Sequence, residues 1–506
     1  MQVDNQGNVY MCGYFRGTVD FDPTAGTKFF TAKGDADIYV AKFDPNGNLL
    51  WVSTMGGNAL DQANSLALDK SGNVTVTGQF SSTDLDADPG PGVHTLSSHG
   101  AEDAFVIRLD SNGQFLWAKS FGSGGTDRGA NVVSDSNGNV ICNGYYDSSI
   151  NVDGTILNSP GGSNGYIIKY NSAGNLVWAL NLGSSGDDAY RGMNVDSHDN
   201  ILVSGYYNGT VNFNPLGSSR TLTSSVDETF IAKYDPSGIL VWADRISGTL
   251  YQTGSVICVD TNDNVYMAGA FQSGINFDPN NPGSEIFPAG NLSMFVAKYS
   301  PTGNFNFVKV MEGQSASAFC YQIASDSNND IYITGYFSGT IDFNPDNQVA
   351  ATVSDHGQRD LFLAKYDENG NYKWAFNAGN SSCDQTYGIE LAIDAGKNIL
   401  LGGAFCSTVD FDPSNCTTKD LTAINGICDS FIAKYSQNAP VPSEISSFSI
   451  PQESSPAVID KLNALITVTV PFGTNIKNLA PVITVTNTGV LSPASGTAHD
   501  FTGPVD

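Results

Sequence analysis

A phrase built on Asp-x-x-Gly-Asn, then apolar-x-apolar-x-Gly-x-aromatic, returns seven times at a spacing of about 65 residues, its first Asp at Asp4, Asp69, Asp135, Asp196, Asp260, Asp326 and Asp394. A period of that length fixes the architecture before any local reading. Each repeat is one supersecondary unit that must stack on its neighbours to bury its apolar faces. The period also bears on function: a residue that recurs seven times builds the repeat more readily than it acts once.

Repeat two shows the unit. Ser65-Leu66-Ala67-Leu68-Asp69 predicts a strand (A), Lys70-Ser71-Gly72-Asn73 a tight turn, and Val74-Thr75-Val76-Thr77-Gly78 a second strand (B). A longer loop carries Asp86-Ala87-Asp88-Pro89. Ala104 to Leu109 predicts strand C, Asp110-Ser111-Asn112-Gly113 a turn, and Gln114 to Ala118 strand D. Four short strands bounded by turn residues at this period predict propeller blades, here seven. An open solenoid is the alternative, although solenoid repeats run shorter, at roughly 20–45 residues.

The other repeats agree. Strand B ends on Gly13, Gly78, Gly144, Gly205, Gly269, Gly335 and Gly403, with Phe15, Phe80, Tyr146, Tyr207, Phe271, Phe337 and Phe405 two places on. Strand C always carries a cation: Lys42, Arg108, Lys169, Lys233, Lys298, Lys365 or Lys434. A recurring Asp is its expected partner, and such a pair specifies register more than it stabilises. Strand D carries Trp51, Trp117, Trp178, Trp242 and Trp374, which are all five Trp of the chain, with Phe307 standing in once. A Trp confined to one repeat position predicts packing between blades.

The chain has 506 residues and a formal net charge of −28, which repels phosphate backbones and argues against a nucleic-acid partner. The acidity fits either solubility outside the cell or divalent cation binding. No apolar stretch is long enough to span a bilayer as a helix. Met1-Gln2-Val3-Asp4 enters in mid-repeat, so a signal peptide is expected upstream of this fragment.

Candidate chemistry falls in the loops. A–B and C–D turns share one face of a propeller, and the longer B–C and D–A loops share the other, where a partner is expected to dock. Each B–C loop carries an Asx-apolar-Asx phrase, with carboxylates at both places in Asp20 and Asp22, Asp86 and Asp88, and Asp410 and Asp412. Alternating carboxylates offer oxygen ligands to Ca²⁺. Asx-turn chemistry around an inward aromatic explains the same phrase without metal, and blade four has Asn212 and Asn214 instead. No other cofactor is expected. The five His, His94, His99, His198, His356 and His499, show no zinc spacing. Carboxylates of the D–A loops, Asp61, Asp127, Asp187, Asp188 and Asp384, would suit glycoside cleavage if paired, or a structural turn in each blade. Of eight Cys, Cys12 and Cys142 read as buried thiols. Cys383, Cys406, Cys416 and Cys428 crowd into repeat seven as possible disulfides, with three pairings open.

The phrases Asp69-Lys70-Ser71-Gly72-Asn73-Val74-Thr75-Val76-Thr77-Gly78 and Asp37-Ile38-Tyr39-Val40-Ala41-Lys42-Phe43-Asp44, followed by Gly47-Asn48-Leu49-Leu50-Trp51, resemble the SBBP-type β-propeller repeats of secreted bacterial proteins, common in Bacteroidetes-like organisms. The resemblance covers residues 1–436 and implies a seven-bladed propeller and export, with no particular activity. After a linker at 437–442, residues 443–506 resemble an Ig-like module of bacterial surface proteins. The segments that carry this likeness are Glu444 to Ile450, Leu465 to Val470, and Ser492-Pro493-Ala494-Ser495-Gly496-Thr497. At about 64 residues it is shorter than the ~100 of an Ig-like sandwich, so truncation is expected.

The expected fold is therefore all-β: a seven-bladed propeller with four-stranded antiparallel blades, followed by a partial Ig-like sandwich. Repeat seven runs through Phe431-Ile432-Ala433-Lys434-Tyr435 into the linker with no strand D, and strand A of repeat one is a stub at Met1-Gln2-Val3. An upstream segment carrying a Trp-bearing strand D is expected to complete the ring. The expected role is a non-catalytic, monomeric scaffold, secreted or on the cell surface, that binds a protein or glycan at the envelope through its B–C/D–A face. The alternative is a polysaccharide-active hydrolase or lyase with carboxylates on that face. The two differ in whether one or two blades break the repeat with polar residues near the axis.

Overall fold

A computed structural model describes residues 1–248, 256–281, 283–288, 292–313, 317–346, 350–381, 386–413, 418–423 and 428–437, and the backbone of four short strands beyond them. The chain divides into two compact units, Met1–Val409 with Thr422–Gln437, and Asp410–Leu421 with Asn438–Asp506. Of the expected linker, 438–442 lies outside the described residues.

The first unit is a seven-bladed β-propeller. Blade two is representative: strand A is Asp61–Leu68, B is Val74–Phe80, C is Asp103–Leu109 and D is Phe115–Phe121, each antiparallel to its neighbour in the sheet. In blade one, strand A is only Gln2–Val3. Blade seven has three strands among the described residues, Tyr387–Ile393, Ile399–Phe405 and Asp429–Tyr435. Blades three and four depart from the expected B–C loop. Their strands B and C run on as long hairpin arms, Val140–Val152 with Thr155–Tyr170 and Ile201–Asn212 with Thr221–Tyr234. Among the described residues, no helix is long and apolar enough to cross a membrane.

The recurring Asp builds the A–B turn. Asp69 accepts the amides of Ser71 and Asn73 on Oδ1 at 2.8 and 2.9 Å, and the Asn73 side-chain amide on Oδ2 at 2.8 Å. These bonds satisfy a turn that would otherwise carry open amides. The fourth turn residue sits left-handed, as Gly72 does at φ 79°. The expected Gly fails there in four blades, where Asp199, Asp263, Asn329 and Lys397 take φ of 62°, 61°, 66° and 63°. All four side chains reach the turn one blade back, Lys397 by donating from Nζ to the Asn328 side chain at 2.5 Å. Asp199 accepts from the Ser136 amide at 2.7 Å, Asp263 from Ser197 at 2.9 Å and Asn329 from Thr261 at 3.0 Å. A bond between blades thus offsets the backbone cost of a non-glycine residue.

The strand C cation pairs within its own blade. Lys169 meets Asp135 at 2.9 Å and Lys233 meets Asp196 at 2.7 Å, while Lys365 turns to Asp330 at 2.8 Å rather than to Asp326. Burial alone would raise the Asp135 carboxyl, but the Asn139 amide and Lys169 hold it below the usual carboxylate range.

Blades are joined by Trp. The indole N–H of Trp117, Trp178 and Trp242 donates to the carbonyl of Ser172, Pro236 and Pro301, in the C–D turn of the next blade, at 3.1, 3.2 and 3.2 Å. Lys169 and Lys233 donate to those same Pro236 and Pro301 carbonyls, both at 3.2 Å. The turn glycine under each ring has no room for a side chain: a Cβ on Gly174 would stand 2.8 Å from the Trp117 ring. Blade one packs on blade seven through Val9, Ala41 and Phe43 against Leu400.

In the second unit, Ile445–Ser449 pairs with Val482–Val485 and Val458–Asp460 with Leu465–Thr467, all antiparallel.

Candidate functional site

Strand A is the innermost strand of each blade, and these strands line an axial cavity of about 810 Å³. Near its start, strand A carries a β-bulge in blades two, three, four, six and seven: register slips between Ala63 and Ser65, Gly129 and Asn131, Tyr190 and Gly192, Cys320 and Gln322, and Gly388 and Glu390. A bulge leaves one residue unpaired and re-aims it. The five residues so freed are Asn64, Ala130, Arg191, Tyr321 and Ile389, and all five line the cavity. No two are alike. The repeat therefore breaks down at the axis.

Around these bulges, at the B–C/D–A end, side chains gather by type. Blades six and seven supply an aromatic patch. Phe319 lies 4.4 Å from Tyr321 and stacks on Tyr336 at 5.7 Å, and Tyr387 closes the patch 6.1 Å from Tyr336 and 6.3 Å from Tyr321. The Arg359 guanidinium sits 5.0 Å over the Tyr336 ring. Burial, then the neighbouring Tyr336 and Tyr387, push the Tyr321 hydroxyl up to about 12, so it remains a hydrogen-bond donor at neutral pH. Blades three and four supply guanidinium groups, Arg128 over Tyr145 at 6.0 Å and Arg191 over Tyr206 at 5.8 Å. Arg128 also pairs with Glu102 at 2.5 Å. Blade two supplies amides. Asn64 donates to Gln79 at 2.6 Å and to the Gly129 carbonyl at 2.8 Å, and Gln79 donates to Gln62 at 2.8 Å. Aromatic faces, amides and guanidinium groups around one concavity suit a ligand with apolar ring faces and many hydroxyls.

The carboxylates suggested by the sequence serve the scaffold instead. Asp61 accepts from the Gly57 amide at 2.8 Å and the Ser82 hydroxyl at 2.8 Å, Asp127 from the Ser123 and Asp147 amides at 2.6 and 3.0 Å, and Asp188 from the Ser184 and Asn208 amides at 2.5 and 3.1 Å. Each ties a D–A loop to strand B or to the residues just after it. Burial pushes Asp127 and Asp188 up to about 6 and raises Asp61 as well. Asp187 accepts from the Ser163 amide at 3.0 Å, and Asp384 lies outside the described residues.

The B–C carboxylates are engaged in the same way. Asp20 accepts from the Asp22 and Lys28 amides at 3.1 and 2.6 Å, and Asp22 from the Thr24 amide at 2.9 Å. Asp86 accepts from the Asp88 and His94 amides at 3.2 and 3.0 Å, and Asp88 from the Gly90 amide at 2.8 Å. Asp410 accepts from the Asp412 and Lys419 amides at 2.9 and 2.7 Å. At the A–B face, Asp196, His198 and Asp263 come within 4.8 Å of one another, with His198 Nδ1 3.0 Å from Asp263. There Asp263 is already the brace for Ser197, and Asp196 the partner of Lys233. Cys142 is buried and Cys12 half-buried, and burial raises both thiols, Cys12 to about 12. Cys406 is disulfide-bonded, while Cys383 and Cys416 lie outside the described residues.

Sequence reasoning missed the bulge residues. Their signal lies three places after a position at or beside the start of strand A: Asp61 to Asn64, Asp127 to Ala130, Asp188 to Arg191, Ala318 to Tyr321 and Thr386 to Ile389. At that column the repeat stops repeating.

Residues 445–506 match the family model described as "SGBP, N-terminal", a glycan-binding-protein family of Bacteroidetes. Over 516 residues and 86% of this chain, the sequence is 26% identical to an uncharacterized WD repeat-containing protein of Acanthamoeba polyphaga mimivirus. Over 197 residues and 37% of this chain, it is 25% identical to the regulatory protein FlaEY of Caulobacter vibrioides. The chain spans 37% and 19% of the lengths of these two relatives. Among solved structures, an ulvan lyase bound to its saccharide is similar at 10% identity, TM-score 0.37, covering 86% of this chain and 90% of that one. A protein of unknown function from Bacteroides caccae is similar at 12% identity, TM-score 0.31, covering 67% and 89%.

Proposed function

We propose that this chain is a non-catalytic glycan-binding propeller of the bacterial cell envelope, and that it holds saccharide at the B–C/D–A mouth of its axial cavity. One observation carries the reading: the residues freed by the strand A bulges are unlike from blade to blade, and they sit beside an aromatic patch, paired amides and guanidinium groups. The aromatic patch would stack on the apolar face of a sugar ring. Asn64, Gln79 and Arg191 would bond its hydroxyls. The match of residues 445–506 to a glycan-binding-protein family supports the same class of ligand. In this reading the chain is a secreted or surface-held monomer, its repeats are of the SBBP type, and residues 443–506 form an Ig-like module.

The test is a glycan array on the full chain, with turnover of every bound glycan measured separately. Tyr321→Ala and Arg191→Ala are each expected to weaken binding at least about tenfold without changing the fold. Binding that survives both changes would move the site elsewhere. Release of new reducing or unsaturated ends would instead favour a polysaccharide-active enzyme.

A further inference from the structure

The charged side chains around the axial cavity run against the composition of the chain. Asp and Glu outnumber Lys and Arg by 51 to 23. The described residues that line the cavity include two arginines, Arg128 and Arg191, one acid, Glu390, and no Asp. Glu390 stands on strand A of blade seven, three blades round the ring from Arg191 of blade four. The D–A carboxylates at the same end, Asp61, Asp127, Asp187 and Asp188, are committed to amides of the scaffold.

Three arginines at this end share one kind of seat. Strand B carries Tyr145, Tyr206 and Tyr336 directly after its recurring Gly in blades three, four and six. A guanidinium rests over each ring, from Arg128, Arg191 and Arg359 in turn, at 6.0, 5.8 and 5.0 Å. The three reach that column from different places: Arg128 opens strand A, Arg191 is a bulge residue, and Arg359 ends a B–C loop. Tyr336 lies 5.8 Å from Tyr321 of the cavity wall, so Arg359 belongs to the same site. Arg128 is engaged by Glu102. Arg191 and Arg359 are exposed and, among the described residues, have no carboxylate partner. A guanidinium lying on a ring keeps its N–H donors in its own plane, where they match two oxygens of a carboxylate or a sulfate. A neutral saccharide would need only the amides of Asn64 and Gln79.

We infer that the ligand is an acidic saccharide, whose ring-borne oxyanions, carboxylate or sulfate, are taken by Arg191 and Arg359. The inference rests on the saccharide reading above and names the chemical class. One sugar ring stacks on the aromatic patch of blade six while its oxyanion meets Arg359, and a second oxyanion along the polymer meets Arg191 in blade four. The net charge of −28 repels such a polymer at a distance, so recognition acts at contact, through charge-assisted hydrogen bonds.

The test measures binding of the full chain, at about 0.15 M salt, to two pairs of polymers. One pair is polygalacturonate and its fully methyl-esterified form, the other dextran sulfate and dextran. At least one acidic member is expected to bind at least about tenfold tighter than its neutral counterpart, and the pair that shows the preference tells carboxylate from sulfate. Arg191→Gln with Arg359→Gln should erase the preference and leave Tm unchanged. Arg245→Gln, which removes the same charge from strand D of blade four, should keep it. Failure of both acidic polymers to bind overturns the inference. So does equal binding of the neutral members, or a preference that survives the double change. The saccharide reading is judged separately, by the neutral polymers and the glycan array.

Discussion

The indole N–H of Trp242 and the ammonium of Lys233 donate to one carbonyl, that of Pro301 in the next blade, each at 3.2 Å. The same Lys233 holds Asp196 of its own A–B turn at 2.7 Å. One cation therefore ties together a turn, a strand and the neighbouring blade.

Because Pro301 has two donors, losing one should be mild. Trp242→Phe is expected to cost about 1 kcal/mol, whereas Trp242→Ala, which also empties the glycine seat, should cost about 3–5 kcal/mol. Urea denaturation separates the two. Equal losses would mean that the hydrogen bond, not the ring, holds the blades together.

The left-handed turn positions give a contrasting pair. Lys397→Gly relieves a side chain at φ 63° and gives up only one exposed bond to Asn328, so it should be nearly neutral. Asp263→Gly relieves the same backbone but removes the brace on Ser197, and should destabilise by about 1 kcal/mol. Thermal melts of both variants check the contrast, and a gain in both would show that the brace contributes nothing.

Acidification should first stabilise the protein. Asp127 and Asp188 titrate near 6 in the fold against 3.8 when unfolded, so the folded state binds their protons more tightly. Their contribution is largest below the unfolded value and is lost as pH rises through about 6. Asp135 and Asp196 are lowered in the fold, and their contribution fails only below about pH 4. Tm is thus expected to climb from about pH 7.5 to about pH 5 and fall below about pH 4. Asp127→Asn with Asp188→Asn should flatten the climb. An unchanged climb would assign it to relief of the overall negative charge.

Calcium offers a fourth check. The B–C carboxylates are already bonded to their own loop amides, so millimolar Ca²⁺ or a chelator should leave Tm unchanged. A clear calcium-dependent rise, lost in Asp86→Asn with Asp88→Asn, would assign that loop to the metal.

Most of the ring was legible in the sequence, because turn Asp and strand C cation recur in all seven blades and strand D Trp in five. The hairpin arms of blades three and four were hidden, since Val140–Val152 and Thr155–Tyr170 look like a strand, a loop and another strand until their register is known. The braces were hidden too: Asp263 reads as a defective glycine until Ser197 of the blade before is placed beside it. The candidate site was least legible. A bulge is a slip in pairing between two strands, so Arg191 and Tyr321 carry no local mark of the slip that frees them.

Those bulges have a consequence for how such a protein diverges. A freed residue belongs to no ladder, even where it touches the next blade, as Asn64 does at the Gly129 carbonyl and Tyr321 at the Tyr387 ring. Each of the five positions can therefore change without altering the pairing of the strands that build the ring. The scaffold holds a short, editable alphabet at its centre, one letter to a blade, and new ligands are reached by respelling it rather than by rebuilding the fold.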